Sequence, residues 1–314
     1  MHKRPLGNTG IDIVPLVFGG NVFGWTIDEK TSFAVLDAFV DHGFNAIDTA
    51  DVYSAWADGN KGGESETIIG RWLKARPGAR EKVAIFTKVG ADMGQGNKGL
   101  SGAYIPKALD ASLARLGTDH IDLYFSHWPD PQTPYAETLS AYDAALKAGK
   151  IRSVGASNLD AAQLQESLKV AKEQGLPAYQ VLQPEYNLYD RASFDGALRE
   201  TCIDNTIGVV TYYSLASGFL SGKYRSKADL SQSKRGEKVG KYLDQRGLAL
   251  LEVLDGVAAD HGAKPAEVAL AWLIAREGVT APIASATSVA QVESFARAAT
   301  LKLSAAQVKA LSEA

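Results

Sequence analysis

The sequence predicts one domain over residues 1–314, folded as an α/β (β/α)8 TIM barrel, and three observations carry that prediction. Short apolar runs alternate with segments of helical period from one end of the chain to the other. Eight such runs can be counted, and no linker or shift in composition divides them. The runs are continuously apolar because a barrel strand meets side chains on both faces, those of the interior and those of the outer helices.

The elements follow in order. The opening KRPLGNTGIDIV places a turn-forming NTG between two short runs, the pattern of an N-terminal β-hairpin that closes the bottom of the barrel. Strands are expected near residues 16–18, 46–48, 83–87, 121–126, 154–156, 179–182, 209–212 and 280–283. Between them, residues 29–41, 64–74, 106–115, 135–146, 161–173, 194–203 and 266–276 read as helices with one apolar stripe, and 289–298 supplies another after the last strand. The interval 217–260 holds a polar segment, SKADLSQSKRGEK, and then a helical one. It reads as a loop plus accessory helix within the seventh unit, so accessory C-terminal helices complete the expected fold.

Composition narrows the function. With 314 residues, 46% apolar and 22% charged, the chain can bury a large core. A formal charge of −3 supplies no broad basic surface, so nucleic acid is not expected as a partner. Cys202 is the only cysteine, which rules out an internal disulfide or thiolate cluster and makes a reducing compartment the default. No run reaches membrane-spanning length and no apolar segment follows the basic start MHKRPLGNTG, so a soluble cytoplasmic protein without membrane association is expected. EF-hand, HExxH and GxGxxG patterns are all missing from the sequence, and no metal is expected.

In NAIDTADVYSAW an apolar run ends at Asp48, and Tyr53 follows in a polar, irregular stretch. Lys88 comes after the third strand in VAIFTKVG and His127 after the fourth in IDLYFSHWPD. Those places converge on the C-terminal mouth of a barrel, where active sites are assembled. Their chemistry is complementary: a phenol donates a proton, a neighbouring ammonium tunes it, a carboxylate balances the ammonium, and an imidazole orients a carbonyl. Each residue alone also has an ordinary reading. Asp48 can cap a turn, Tyr53 can sit on a rim, Lys88 can be solvated and His127 can lie at a core edge.

With NAIDTADVY, FTKVG, IDLYFSHWPD, GKIRSVGASN, VLQPEYN and YYSLASGFLSGKY in that order, the chain resembles the aldo-keto reductase superfamily over essentially its full length. The resemblance implies that Asp48, Tyr53, Lys88 and His127 form a catalytic tetrad, and that an extended nicotinamide dinucleotide binds without a Rossmann fold. Tyr53 is then the acid or base, Lys88 lowers its pKa, Asp48 holds Lys88 charged and aimed, and His127 polarises the carbonyl. By the same resemblance Ser157, Asn158 and Gln183 hold the nicotinamide amide, while Tyr212 lays its ring on the nicotinamide. The loop LASGFLSGKY, with Leu215, Ser217, Gly218 and Leu220, offers backbone donors to the pyrophosphate, and Lys223 adds charge there. Two alternatives stay open at this point: Asn158 as a helix cap, and Tyr213 in place of Tyr212.

The segment APIASATSVAQVESFA departs from the family's pattern, with Ala284 and Ser285 at a usual proline and glycine or lysine, Gln291 at a usual arginine, and Phe295 at a usual asparagine. Ser285, Thr287, Ser288 and Gln291 can bond a ribose or phosphate without arginine's charge. NADP (as NADPH) is the preferred cofactor and NAD (as NADH) a possible one, with Lys or Arg residues of 217–246 as a source of charge. Phe23, Trp25, Trp56 and Trp128 offer aromatic surface to a substrate, or pack loops together; Asp58, Asn60 and Lys61 leave room for a polar one. A small-molecule carbonyl or alcohol substrate and a monomer are expected. Two other functions remain open: a dinucleotide-sensing regulatory subunit with weak turnover, and a barrel lyase or glycoside hydrolase.

Overall fold

The computed structural model describes residues 1–233 and 236–314. A two-stranded antiparallel hairpin, β1 (Arg4–Pro5) and β2 (Asp12–Ile13), comes first. The barrel strands are β3 (Val17–Gly19), β4 (Ala46–Asp48), β5 (Ala84–Val89), β6 (Ile121–Ser126), β7 (Ile151–Ser157), β8 (Val181–Gln183), β9 (Gly208–Thr211) and β10 (Ala281–Ala284). Among the described residues these form one closed parallel barrel in the order β10-β3-β4-β5-β6-β7-β8-β9, the (β/α)8 architecture that the alternating runs predict.

The helices are α1 (Glu29–Asp41), α2 (Glu64–Ala75), α3 (Ile105–Leu116), α4 (Tyr135–Lys147), α5 (Ala161–Gln174), α6 (Ala197–Asp204), α7 (Gly236–Val239), α8 (Gln245–Asp260), α9 (Pro265–Ala275), α10 (Val289–Thr300) and α11 (Ala305–Glu313). Local chemistry sets several of their ends. Asp28 caps α1 by accepting from the Thr31 amide at 2.8 Å, Asp160 and Gln163 form a reciprocal capping box on α5, and α3 stops at Gly117, whose φ of 62° suits glycine.

Two apolar clusters separate by layer. Val17, Ala46, Phe86, Leu123, Phe125, Val181, Val210 and Ala281 fill the barrel interior, and Leu6 and Ile13 from the hairpin region join them, so the hairpin plugs one end. The plug needs glycine at Gly7. Its φ is 55°, and a Cβ there would lie 2.5 Å from the Gly208 nitrogen at the start of β9. With that end closed, the opposite mouth is left for a site.

Two local expectations are revised, and a third, the loop with its accessory helix, gains detail. β5 runs through Lys88 to Val89 because Lys88 pairs with Phe125 and Val89 with Ser126, so Lys88 is a strand residue and not one that follows the strand. β7 starts at Ile151, earlier than its apolar centre suggests, since Ile121 of β6 pairs with it. The interval after β9 is a chain of short 3-10 turns, Ala216–Ser221, Lys227–Gln232 and Gly240–Tyr242, with α7 among them and α8 after them. Lys234 and Arg235, two of the cations expected to serve a cofactor, lie outside the described residues.

Candidate active site

The strand ends bring Asp48, Tyr53, Lys88 and His127 together. Asp48 closes β4 and is buried, as is Lys88 on the neighbouring β5. The chain then turns tightly, with the Tyr53 amide donating to the Ala50 carbonyl at 3.2 Å and the Ala55 amide to Val52 at 3.0 Å, and this turn swings the phenol back over the strand ends. His127 follows β6, its amide held by the Val89 carbonyl at 2.8 Å.

Lys88 Nζ is the hub. It donates to Asp48 Oδ1 at 2.8 Å and Oδ2 at 2.7 Å, to the Thr49 carbonyl at 2.8 Å and to the Tyr53 hydroxyl at 2.9 Å. Tyr53 donates in turn to Asp48 Oδ2 at 3.2 Å, and Gln183 Nε2 to Asp48 Oδ1 at 2.9 Å. A buried ion pair of this kind persists because every remaining lone pair and proton is engaged.

Charge and burial set the protonation states. Burial first, and the Asp48 carboxylate second, hold the Tyr53 phenol well above its ordinary range. Burial lowers Lys88, against the pull of Asp48. The net direction is opposite to the one expected from Lys88, because burial and the Asp48 carboxylate, which accepts from the hydroxyl at 3.2 Å, both favour the protonated phenol. The phenol is therefore a proton donor at neutral pH. Burial, and then the charge of Lys88, keep His127 well below its usual pKa, so its imidazole is neutral. Its Nδ1 is buried without a partner, and its ring stacks on Trp128 with centroids 5.8 Å apart.

A cavity of about 1100 Å³ opens above these groups. Asp48, Tyr53 and His127 line its floor, and Ser157, Asn158, Gln183, Tyr212, Leu215, Ser217, Gly218, Lys223, Ser285, Thr287 and Gln291 line its walls. Asn158 is not a helix cap, since Asp160 performs that role; at φ 63° it turns inward, donating to the His127 carbonyl at 2.9 Å and accepting from the Tyr212 hydroxyl at 2.7 Å. Both Tyr212 and Tyr213 reach the cavity. Ser285 donates to Asn21 Oδ1 at 2.7 Å, while Gln291 Oε1 accepts from the Thr287 amide at 2.7 Å.

Four expected contacts are placed elsewhere. Leu220 is fully buried, and its amide donates to the Leu215 carbonyl at 3.2 Å, so that donor is engaged within the turn. Phe23 is buried and stacked on Phe18, because Ser54 Oγ donates to its carbonyl at 2.6 Å and ties that loop inward. Trp25 is not among the cavity-lining residues and packs edge-on against Trp56 at 5.6 Å. Asn60 staples its own loop, donating to the Gly24 and Ser54 carbonyls at 2.8 and 2.9 Å. Trp56 and Trp128, 49% and 50% exposed, form the rim.

Sequence reading missed Asn21, Glu185 and Lys264, all in the cavity wall. Asn21 and Glu185 stand two residues past β3 and β8, so the strand-end rule could have found them. Lys264 precedes α9, and only the path of the accessory segment brings it to the cavity. Among the described residues no group of three or more His, Cys, Asp or Glu could hold a metal ion, and no helix is long and apolar enough to cross a membrane.

Comparison with known proteins identifies the family. A protein of Bacillus subtilis named "Uncharacterized oxidoreductase YrpG" is 34% identical over 310 residues, covering 96% of this chain and 92% of its own length. A protein of Arabidopsis thaliana named "Probable voltage-gated potassium channel subunit beta" is 32% identical over 93% of this chain and 89% of its own length. The aldo-keto reductase yakc [NADP(+)] of Schizosaccharomyces pombe is 31% identical over 99% of this chain and 91% of its own. Residues 15–314 match the aldo/keto reductase family, and the chain belongs to it.

Proposed function

We propose that this protein reduces an aldehyde or ketone to an alcohol, reversibly, with NADPH preferred over NADH and Tyr53 as general acid and base. One observation carries the reading: the Lys88 ammonium bonds Asp48 and Tyr53 at once, at the floor of a cavity that His127 also lines.

A dinucleotide suits the donor set. Amide and hydroxyl groups of Ser157, Asn158 and Gln183 stand at the tetrad end, and the cavity continues past Tyr212 to Ser217, Gly218 and two exposed lysines, Lys223 and Lys264. At about 1100 Å³ it slightly exceeds the usual range for ligand pockets, which suits a dinucleotide together with a substrate. When bound, a reduced nicotinamide supplies the electron pair for the carbonyl carbon.

The chain's own residues do the rest. Tyr53, held protonated by burial, delivers its proton to the developing alkoxide, and Lys88 compensates the charge left on the phenol oxygen. Neutral His127 offers one N–H to orient the carbonyl oxygen. Trp56 and Trp128 at the rim favour a substrate with apolar or ring surface and exclude water around it. Without arginine at Gln291, Lys223 and Lys264 are the described cations that line the cavity, and they support the preference for NADP along with the yakc relative's name. One barrel completes its own core, so the reading takes the protein as a monomer.

The test is titration with each reduced cofactor, followed by quenching of intrinsic fluorescence. Saturable binding of NADPH, and weaker binding of NADH, is expected without added metal. No saturable binding of either overturns the reading and returns the lyase or hydrolase alternative. The channel-subunit relative keeps a regulatory reading in view, which tight binding without turnover on a broad carbonyl panel would support.

A further inference from the structure

Behind the tetrad lies a second buried group of charges that the proposed reaction does not use. Glu66 on α2 is fully buried, accepting from Thr87 Oγ1 at 2.5 Å and from Arg115 Nε at 2.6 Å. Asp51, three residues past the end of β4, is 2% exposed, and neither of its carboxylate oxygens meets a hydrogen-bond donor. Its amide donates to the Lys88 carbonyl at 3.4 Å, which ties its backbone to β5.

The charges here do not balance. Asp48, Asp51 and Glu66 are carboxyl groups, while Lys88 and Arg115 are the cations paired within the cluster. Lys88 pairs with Asp48 at 2.7 Å and Arg115 with Glu66 at 2.6 Å, which leaves Asp51 without a partner. Water cannot screen an unpaired buried charge, so one proton belongs to this cluster, and Asp51 is the group that no donor holds ionised.

We infer that Asp51 is a positioning residue for proton transfer. Neutral, it leaves the Lys88 ammonium shared between Asp48 and Tyr53; ionised, it binds that ammonium's charge more firmly and holds the phenol proton more tightly. It does not line the cavity, and it acts through Lys88. The inference rests on the reading of Tyr53 as the proton donor.

The surroundings of Asp51 support this direction. Burial first, and the Glu66 carboxylate second, push its pKa up to about 7, opposed only weakly by the neighbouring Val52 amide, which does not reach hydrogen-bond geometry, and by the charges of Arg115 and Lys88. Ionised Asp51 in turn favours the charged form of Lys88. The other groups that sense it are phenols: Tyr104 before α3, Tyr124 on β6 with its hydroxyl unpartnered, and Tyr142 on α4, all held protonated chiefly by burial. None of them can supply the missing cation.

The experiment measures pH profiles of kcat/KM for NADPH-dependent reduction of an aromatic aldehyde, and for the reverse oxidation, in wild type, Asp51→Asn and Asp51→Glu. With the negative charge gone, the alkaline limb of reduction should move to lower pH by roughly 0.5–1 unit, and oxidation should begin correspondingly lower. NADPH affinity should stay within about twofold, and Asp51→Glu should restore the wild-type limb. A uniform loss of kcat at every pH, with the limb unmoved, overturns the inference and makes Asp51 structural. If Asp51→Asn does not fold, infrared titration of wild-type protein decides instead. A protonated carboxyl band that disappears as pH rises through about 7 is expected, and its absence at pH 6 contradicts the inference. Wild-type protein that neither binds NADPH nor turns over would instead reject the reductase reading, a result distinct from an unmoved limb.

Discussion

Tyr53→Phe is expected to lower single-turnover carbonyl reduction by roughly 10²–10⁴, the usual range for removal of a general acid, while leaving dinucleotide affinity near that of wild type. The substitution keeps the ring, which packs edge-on against Trp56 at 6.0 Å and His127 at 6.1 Å, and removes one hydroxyl. That hydroxyl accepts from Lys88 and donates to Asp48, so its loss leaves the ion pair intact and the fold unchanged. Water is a poor replacement in a site closed by burial and aromatic rings. Single-turnover rates at saturating cofactor, with a separate cofactor titration, make the comparison. Reduction at the wild-type rate by folded Tyr53→Phe protein would reject Tyr53 as the donor.

Lys88→Met should act on both stability and turnover. The ammonium and its carboxylate partner are essentially inaccessible, at 0% and 2% of their side-chain surface. Breaking a buried pair by removing one partner costs about 3–5 kcal/mol, because the other charge is left uncompensated. In the variant only Gln183 and Tyr53 still donate to Asp48, so the buried carboxylate keeps two neutral donors and no cation. Denaturant unfolding of variant and wild type at neutral pH would read that loss. Reduction should also slow, since no cation then balances the phenolate that proton transfer leaves. Stability within about 1 kcal/mol of wild type would mean that Lys88 does not compensate Asp48.

Much of this was legible in the chain because strand ends are legible. Apolar runs that stop at Asp48, Ser126 and Gln183 mark the barrel mouth, and a parallel barrel gathers whatever side chains stand there. Contacts that depend on the path of a loop were not legible. Phe23 and Trp56 look alike as candidate pocket aromatics, yet the Ser54–Phe23 hydrogen bond buries one and leaves the other on the rim. The cap of α5 could have been read, since Asp160 and Gln163 have the spacing of a capping box, and it would have freed Asn158 for the site at once. Asp51 and Glu66 were passed over because nothing local tells a buried carboxyl from a solvated one. Their state depends on Arg115 and Thr87, which α3 and β5 bring from far along the sequence. The reversed direction of the Tyr53 pKa has the same origin, for desolvation is a property of the closed site.

Transfer of label from the cofactor tests the central claim most directly. NADPH carrying deuterium at both positions of C4 would be incubated with the protein and an aromatic aldehyde, and the alcohol analysed by mass spectrometry and NMR. The account predicts one deuterium on the carbinol carbon, with none on that carbon derived from solvent. Unlabelled alcohol, or no consumption of NADPH across a broad set of aldehydes and ketones, would contradict it.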